Sequence, residues 1–127
     1  MMSVTFLLIL LVIFQIKHLV ADFILQTGWM VRTKGIYGHP GGIVHAGLHA
    51  VLTAGILLLT PLAPLSLALI VLGEFVLHYH LDWFKDRVLK KQGYTAHQKE
   101  FWTLAGLDQF AHQLSYVLIL YLVMRLV

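Results

Sequence analysis

Four stretches of about 20 mostly apolar residues restrict this chain to very few folds. They run over residues 4–25, 41–62, 65–84 and 100–124. Each is long enough to cross the hydrocarbon core of a bilayer as a helix. Lipid admits only helices or closed barrels, and these runs are too long for barrel strands. Composition agrees: 59% of the 127 residues are hydrophobic and 12% are charged, roughly half the charge of an ordinary soluble domain. A soluble domain this small buries only about two-thirds of its surface, so it has no place for that much apolar side chain. Disorder, a fibrous repeat and a soluble nucleic-acid binder are excluded on the same ground. Cysteine is absent, which removes disulfides, thiolate metal sites and cysteine nucleophiles.

The expected fold is all-α: an integral membrane four-helix bundle, up-down-up-down, forming a single domain over residues 1–127. Residues 4–16 are apolar apart from Thr5 and Gln15. They lack the basic n-region and small-residue cleavage site of a signal peptide, so the first span is expected to be retained. Residues 26–40 form a polar, glycine-bearing connection. Pro61 and Pro64 bracket a very short turn, which makes the second and third helices antiparallel neighbours. Residues 86–92 continue the third helix along the interface, and Gly93 supplies its stop.

The basic residues orient the spans. Arg32, Lys34, Lys85, Arg87, Lys90, Lys91 and Lys99 fall in the 1–2 and 3–4 connections, against only Arg125 and the amino terminus on the other side. The positive-inside rule places both connections in the cytoplasm and both termini outside. Trp29, Tyr37, Trp83, Tyr94 and Trp102 lie near the same boundary, as interfacial aromatics do. The net charge of +3 is therefore explained by anchoring to anionic lipid and needs no nucleic-acid partner.

Histidine is the anomaly, with eight in so apolar a chain. Each span carries ionisable residues four apart: His18 and Asp22; His45 and His49; Glu74, His78 and Asp82; Asp108 and His112. Residues at i and i+4 share a helical face. The sets on the first and third spans lie toward their C-termini, and those on the second and fourth toward their N-termini. With up-down topology all nine fall in one slab on the cytoplasmic side. A charge in the bilayer core costs about 2.5–3.5 kcal/mol on insertion scales, so these groups must face one another. Imidazoles with carboxylates form a donor set for zinc, manganese or iron. The count suits one ion, or two ions about 3.5–4 Å apart. A proton pathway or a polar interhelical network is the plainer reading of the same residues. His80 is out of phase with His78, and His39 and His97 fall in loops. Gly41, Gly42, Gly47 and Gly55 read as close-packing contacts.

At these residues the chain resembles a known family. His18-Leu-Val-Ala-Asp22-Phe23-Ile-Leu25-Gln26, followed by Lys34, is similar to the opening signature of the domain of unknown function 3307 family of small bacterial and phage inner-membrane proteins. His45 with His49, His78-Tyr-His-Leu-Asp82-Trp-Phe-Lys85, and Asp108-Gln109-Phe-Ala-His112 resemble its later blocks in order. A weaker similarity in style is to membrane-bound metal-dependent hydrolases. The resemblance implies a bacterial inner-membrane location and a shared polar site. It adds Gln26 and Gln109 as residues that orient a ligand or bind substrate. Lys34 and Lys85 stand at the cytoplasmic mouth, to hold a phosphate or lipid head group or simply to snorkel.

These observations lead to four expectations. The first is a metal-dependent hydrolase binding one or two divalent ions, zinc before manganese or iron. Its ligands are His18, Asp22, His45, His49, His78, Asp82, Asp108 and His112, and its general base is Glu74 or an aspartate not bound to metal. Its partners are membrane lipid and an amphiphilic substrate such as a lipid or isoprenoid phosphate, with a homodimer left open. The second is a divalent-metal or proton transporter, which the apolar far halves of the spans disfavour. The third is a non-catalytic membrane module with a polar packing core. The fourth is a redox di-metal oxygenase, for which the chain lacks the usual H-x-x-H-H clusters.

Overall fold

The computed structural model describes residues 2–127, and among them there is no strand. Helix α1 spans Val4–Leu19 and runs into a π-helical turn over Val20–Ile24. A short α2 follows over Gly28–Thr33, then α3 over Pro40–Leu57, α4 over Pro64–Gln92 and α5 over Lys99–Leu126. Local chemistry sets these boundaries. Ser3 and Thr27 cap α1 and α2 by accepting from Phe6 N and Met30 N. Pro40 and Pro64 open α3 and α4, where a missing N–H costs nothing. Gly93 closes α4 at φ +68°, a left-handed position suited to glycine.

Three elements depart from the expectation. The polar connection at 26–40 contains α2, six residues long and too short to show a periodicity. The second apolar run stops being helical at Leu57 rather than at 62, because Pro61 cannot continue the ladder. The released carbonyl of Leu57 is taken by Thr60, through both its N and its Oγ1. Three segments are long and apolar enough to cross a membrane: Val4–Ile24, Pro40–Leu57 and Pro64–Gln92. Helix α5 has the length, but Asp108, Gln109, His112, Gln113 and Ser115 break up the apolar run near its middle. At 29 residues α4 is about 44 Å long, well beyond the roughly 30 Å of a hydrocarbon core. Its last turns therefore extend past any membrane it crosses.

Contacts fix the helix directions. Phe14 of α1 stacks on Tyr116 of α5, with ring centroids 5.3 Å apart, while His18 reaches back to Gln109. These two helices thus run antiparallel. Helices α3 and α4 do the same: Gly42 abuts Tyr79, His45 and His49 face His78, and Ile56 and Leu57 join Ile70 in one cluster. That cluster, with Leu10, Phe14, Tyr116, Ile119, Leu120 and Val123, fills one half of the interior with apolar side chains. The other half is filled by the histidines and carboxylates. Outward-facing Leu8, Val12, Val51, Leu58, Leu65 and Leu118 are more than half exposed, an apolar surface of the kind that lipid covers.

Of the four glycines expected at close contacts, two are there. A Cβ on Gly42 would sit 3.2 Å from the Tyr79 ring and 3.3 Å from Lys34 Cα, and one on Gly41 would press on Thr33. Gly47 only just reaches Phe75, at 4.0 Å, and Gly55 faces open space, so the close-contact expectation fails at these two.

Candidate metal centre

Each histidine arrives on a helical face that the i, i+4 spacing defines, and the antiparallel contacts bring those faces to one level. His45, His49, His78 and His112 are each at most 2% exposed. Their Nε2 atoms converge on two carboxylates. Asp22 Oδ1 lies 2.8 Å from His49 Nε2 and 3.2 Å from His45 Nε2. Asp82 Oδ2 lies 3.0 Å from His45 Nε2 and 3.5 Å from His78 Nε2, while its Oδ1 is 3.4 Å from His112 Nε2. Two compact donor groups result: Asp22, His45, His49 and His78; and His78, Asp82 and His112, with every donor atom of a group within 4.8 Å of the others. They share His78. These buried groups could hold a metal ion.

The donor geometry fits that role. A tetrahedral site with bonds of about 2.0–2.1 Å has ligand atoms separated by about 3.3 Å along its edges, and within the groups Asp22–His45 at 3.2 Å, His78–Asp82 at 3.5 Å and Asp82–His112 at 3.4 Å come near it. Hydrogen bonding alone serves the site poorly. His45 Nε2 has three close neighbours, Asp22 Oδ1, Asp82 Oδ2 and, at 3.4 Å, His78 Nε2. A neutral imidazole has one N–H to divide among them. A cation held by Asp22, His45, His49 and His78 could take the lone pairs that one N–H cannot satisfy. The Nδ1 atoms of His45, His49 and His112 are buried with no partner, so the Nε2 side is where these rings do their polar work.

Two of the eight expected ligands stand outside both groups. His18 Nε2 lies 2.8 Å from Gln109 Oε1, to which it donates, and its Nδ1 accepts from the Tyr116 hydroxyl at 2.9 Å. Both ring nitrogens of His18 thus already have protein partners. Its Nε2 also lies 3.2 Å from Asp22 Oδ2, so His18 holds Asp22 in place. Asp108 Oδ1 lies 3.4 Å from His112 Nε2 without hydrogen-bond geometry, and its Oδ2 lies 3.6 Å from Lys85 Nζ.

The flanking residues turn inward. Lys34 is 6% exposed. It donates to Gln26 Oε1 at 2.9 Å and to Asp82 Oδ2 at 3.4 Å, while Gln26 donates to the Asp22 carbonyl. Lys34 therefore does not snorkel. Lys85 sits between Asp86 and Asp108. His80 points away, with Tyr37 3.2 Å from its Nε2. His39 caps α3 and His97 is exposed. Glu74 is engaged elsewhere: its Oε1 accepts from Lys17 Nζ at 2.5 Å, with both side chains almost wholly buried. Lys17, which also reaches the Tyr116 hydroxyl at 3.4 Å, is the residue the sequence reading passed over. The signal was its position inside a span, where a lysine needs a partner.

Fold and site together define a helical protein with membrane-capable helices and a buried cluster of histidines and aspartates able to take a metal. The chain belongs to the family described as protein of unknown function (DUF3307), whose profile matches residues 8–127. No curated protein and no solved structure matches it.

Proposed function

We propose that this protein is a metal-dependent hydrolase embedded in the bacterial inner membrane. It acts on an amphiphilic substrate, such as a lipid or isoprenoid phosphate, from the cytoplasmic leaflet. The observation that carries the reading is the pair of buried donor groups sharing His78. In this reading the four long helices form one up-down membrane bundle, with both termini outside and the His/Asp level toward the cytoplasm. The basic residues around α2 and the end of α4 support that orientation. Asp22, His45, His49, His78, Asp82 and His112 hold one or two divalent ions, zinc first among the candidates, with manganese and iron as alternatives.

A divalent ion bound there supplies Lewis acidity toward a water and a phosphoryl oxygen. The chain supplies the rest. Gln109 and Tyr116 fix the His18 ring, which in turn holds Asp22. Gln26 and Lys34 brace the carboxylate layer from the cytoplasmic side. Asp108 lies beside the ligands and its Oδ1 has no hydrogen-bond partner. Asp108 Oδ1, 3.4 Å from His112 Nε2, and Glu74 Oε2, the oxygen that Lys17 leaves free, are the two carboxylate oxygens placed to take a proton. Transport fits less well, because the apolar cluster from Leu10 to Val123 closes the other half of the interior. The test is phosphate release from a panel of lipid phosphates by protein in vesicles. The reading expects metal-dependent release that Asp82→Asn abolishes. Release that survives that change, or no release from any member of the panel in metal-loaded protein, counts against it.

A further inference from the structure

A cleft of about 390 Å³ runs along the outer seam of α4 and α5, within the size range of small-molecule sites. Small residues open it: Ser66, Gly73 and Ser115 line a seam otherwise made of leucine and isoleucine. From Leu77 to Ser66 it follows eleven residues of α4, a length of about 16 Å. Its two ends differ. One is made of leucine and isoleucine apart from Ser66. The other reaches Glu74 and Ser115, at the level of the His/Asp cluster, where Ser115 Oγ donates to the His112 carbonyl at 2.7 Å. Glu74 gives one oxygen to Lys17, and its Oε2 is buried with no partner. A carboxylate oxygen left so in an apolar wall calls for a hydrogen-bond donor.

From this geometry we infer that the α4/α5 cleft takes the hydrocarbon chain of an amphiphile, with a hydroxyl at its polar end donating to Glu74. The inference deepens the hydrolase reading and rests on it, since it gives the amphiphilic substrate a place to lie. A lipid aligned with the bilayer would put its head toward the metal centre and its chain toward the apolar end. Glu74 also links the cleft to the site, because Lys17 bonds both Glu74 and Tyr116, and Tyr116 contacts His18.

The test uses the full chain in phosphatidylcholine vesicles and a long-chain fatty alcohol with a photoreactive diazirine at its far end. Labelling is expected to concentrate on the segments of α4 and α5 that line the cleft. Gly73→Leu should lower it severalfold, because the added side chain occupies the middle of the cleft. A Cβ at Gly73 meets nothing within 4 Å, so the change fills space without forcing the helices apart. Leu118→Trp is the second blocking variant, and helical content by circular dichroism confirms that both fold. The methyl ether of the same probe should label about fivefold less, for want of the donated hydrogen bond. Labelling spread evenly over all lipid-facing helices, cross-links to a second copy across the seam, or no change on blocking would overturn the inference. Metal content measured on the same preparations separates its failure from failure of the metal centre.

Discussion

Removing Glu74 should damage the fold more than removing Glu74 and Lys17 together. The two side chains are 1% and 3% exposed and meet at 2.5 Å. Glu74→Leu leaves the Lys17 ammonium buried, with only the Tyr116 hydroxyl at 3.4 Å to receive it. Stripping one partner from a buried pair typically costs about 3–5 kcal/mol. Replacing both with apolar residues of similar size, as in Lys17→Met with Glu74→Leu, is often neutral or stabilising by about 1–4 kcal/mol. The double variant should therefore be more stable than Glu74→Leu by at least about 3 kcal/mol, a coupling far outside additive behaviour. Reversible unfolding in mixed micelles, with the four proteins of the cycle titrated side by side, reads this directly. Additive single effects, or a double variant worse than either single, would refute the pairing.

The packing and the donor set carry four further outcomes. Gly42→Ala should cost about 1–3 kcal/mol by overpacking against Tyr79 and Lys34. Gly55→Ala, which faces open space, should instead stabilise by about 1 kcal/mol through helix propensity; the same unfolding titration checks both. Asp82→Asn should lower metal content, and it leaves Lys34 without its carboxylate, so elemental analysis and thermal stability should fall together. Imidazoles and carboxylates bind metal only when deprotonated, so metal retention on dialysis should weaken as the pH is lowered, and retention that rises toward acid would contradict the donor assignment.

Much of the site is legible in the sequence because helical spacing is a strong constraint. Pairs four apart at matching depths could converge only in one layer, and six of the eight named ligands lie in the two donor groups. Spacing does not fix how each helix is rotated about its axis against its neighbours. That is why His18 and Asp108, equally well spaced, stand just outside. Nor does spacing show who satisfies whom: Glu74 reads as a free carboxylate until Lys17 is seen beside it. Lys34 reads as an interfacial lysine until the α2 turn folds it back onto Asp82. The six residues of α2 and the π-helical turn at Val20–Ile24 leave no periodic trace. The π-helical turn adjoins His18 and contains Asp22, a placement common at functional sites.

Metal bound by the buried histidines and aspartates underlies the proposed chemistry. Elemental analysis of detergent-purified protein tests it most directly, with His78→Ala alongside because both donor groups use that residue. The native protein should carry one or two divalent ions per chain and the variant markedly fewer, and thermal stability should fall when a chelator strips the metal. Native protein that carries no metal, binds none when zinc, manganese or iron is supplied, and melts identically with and without chelator would contradict metal binding there.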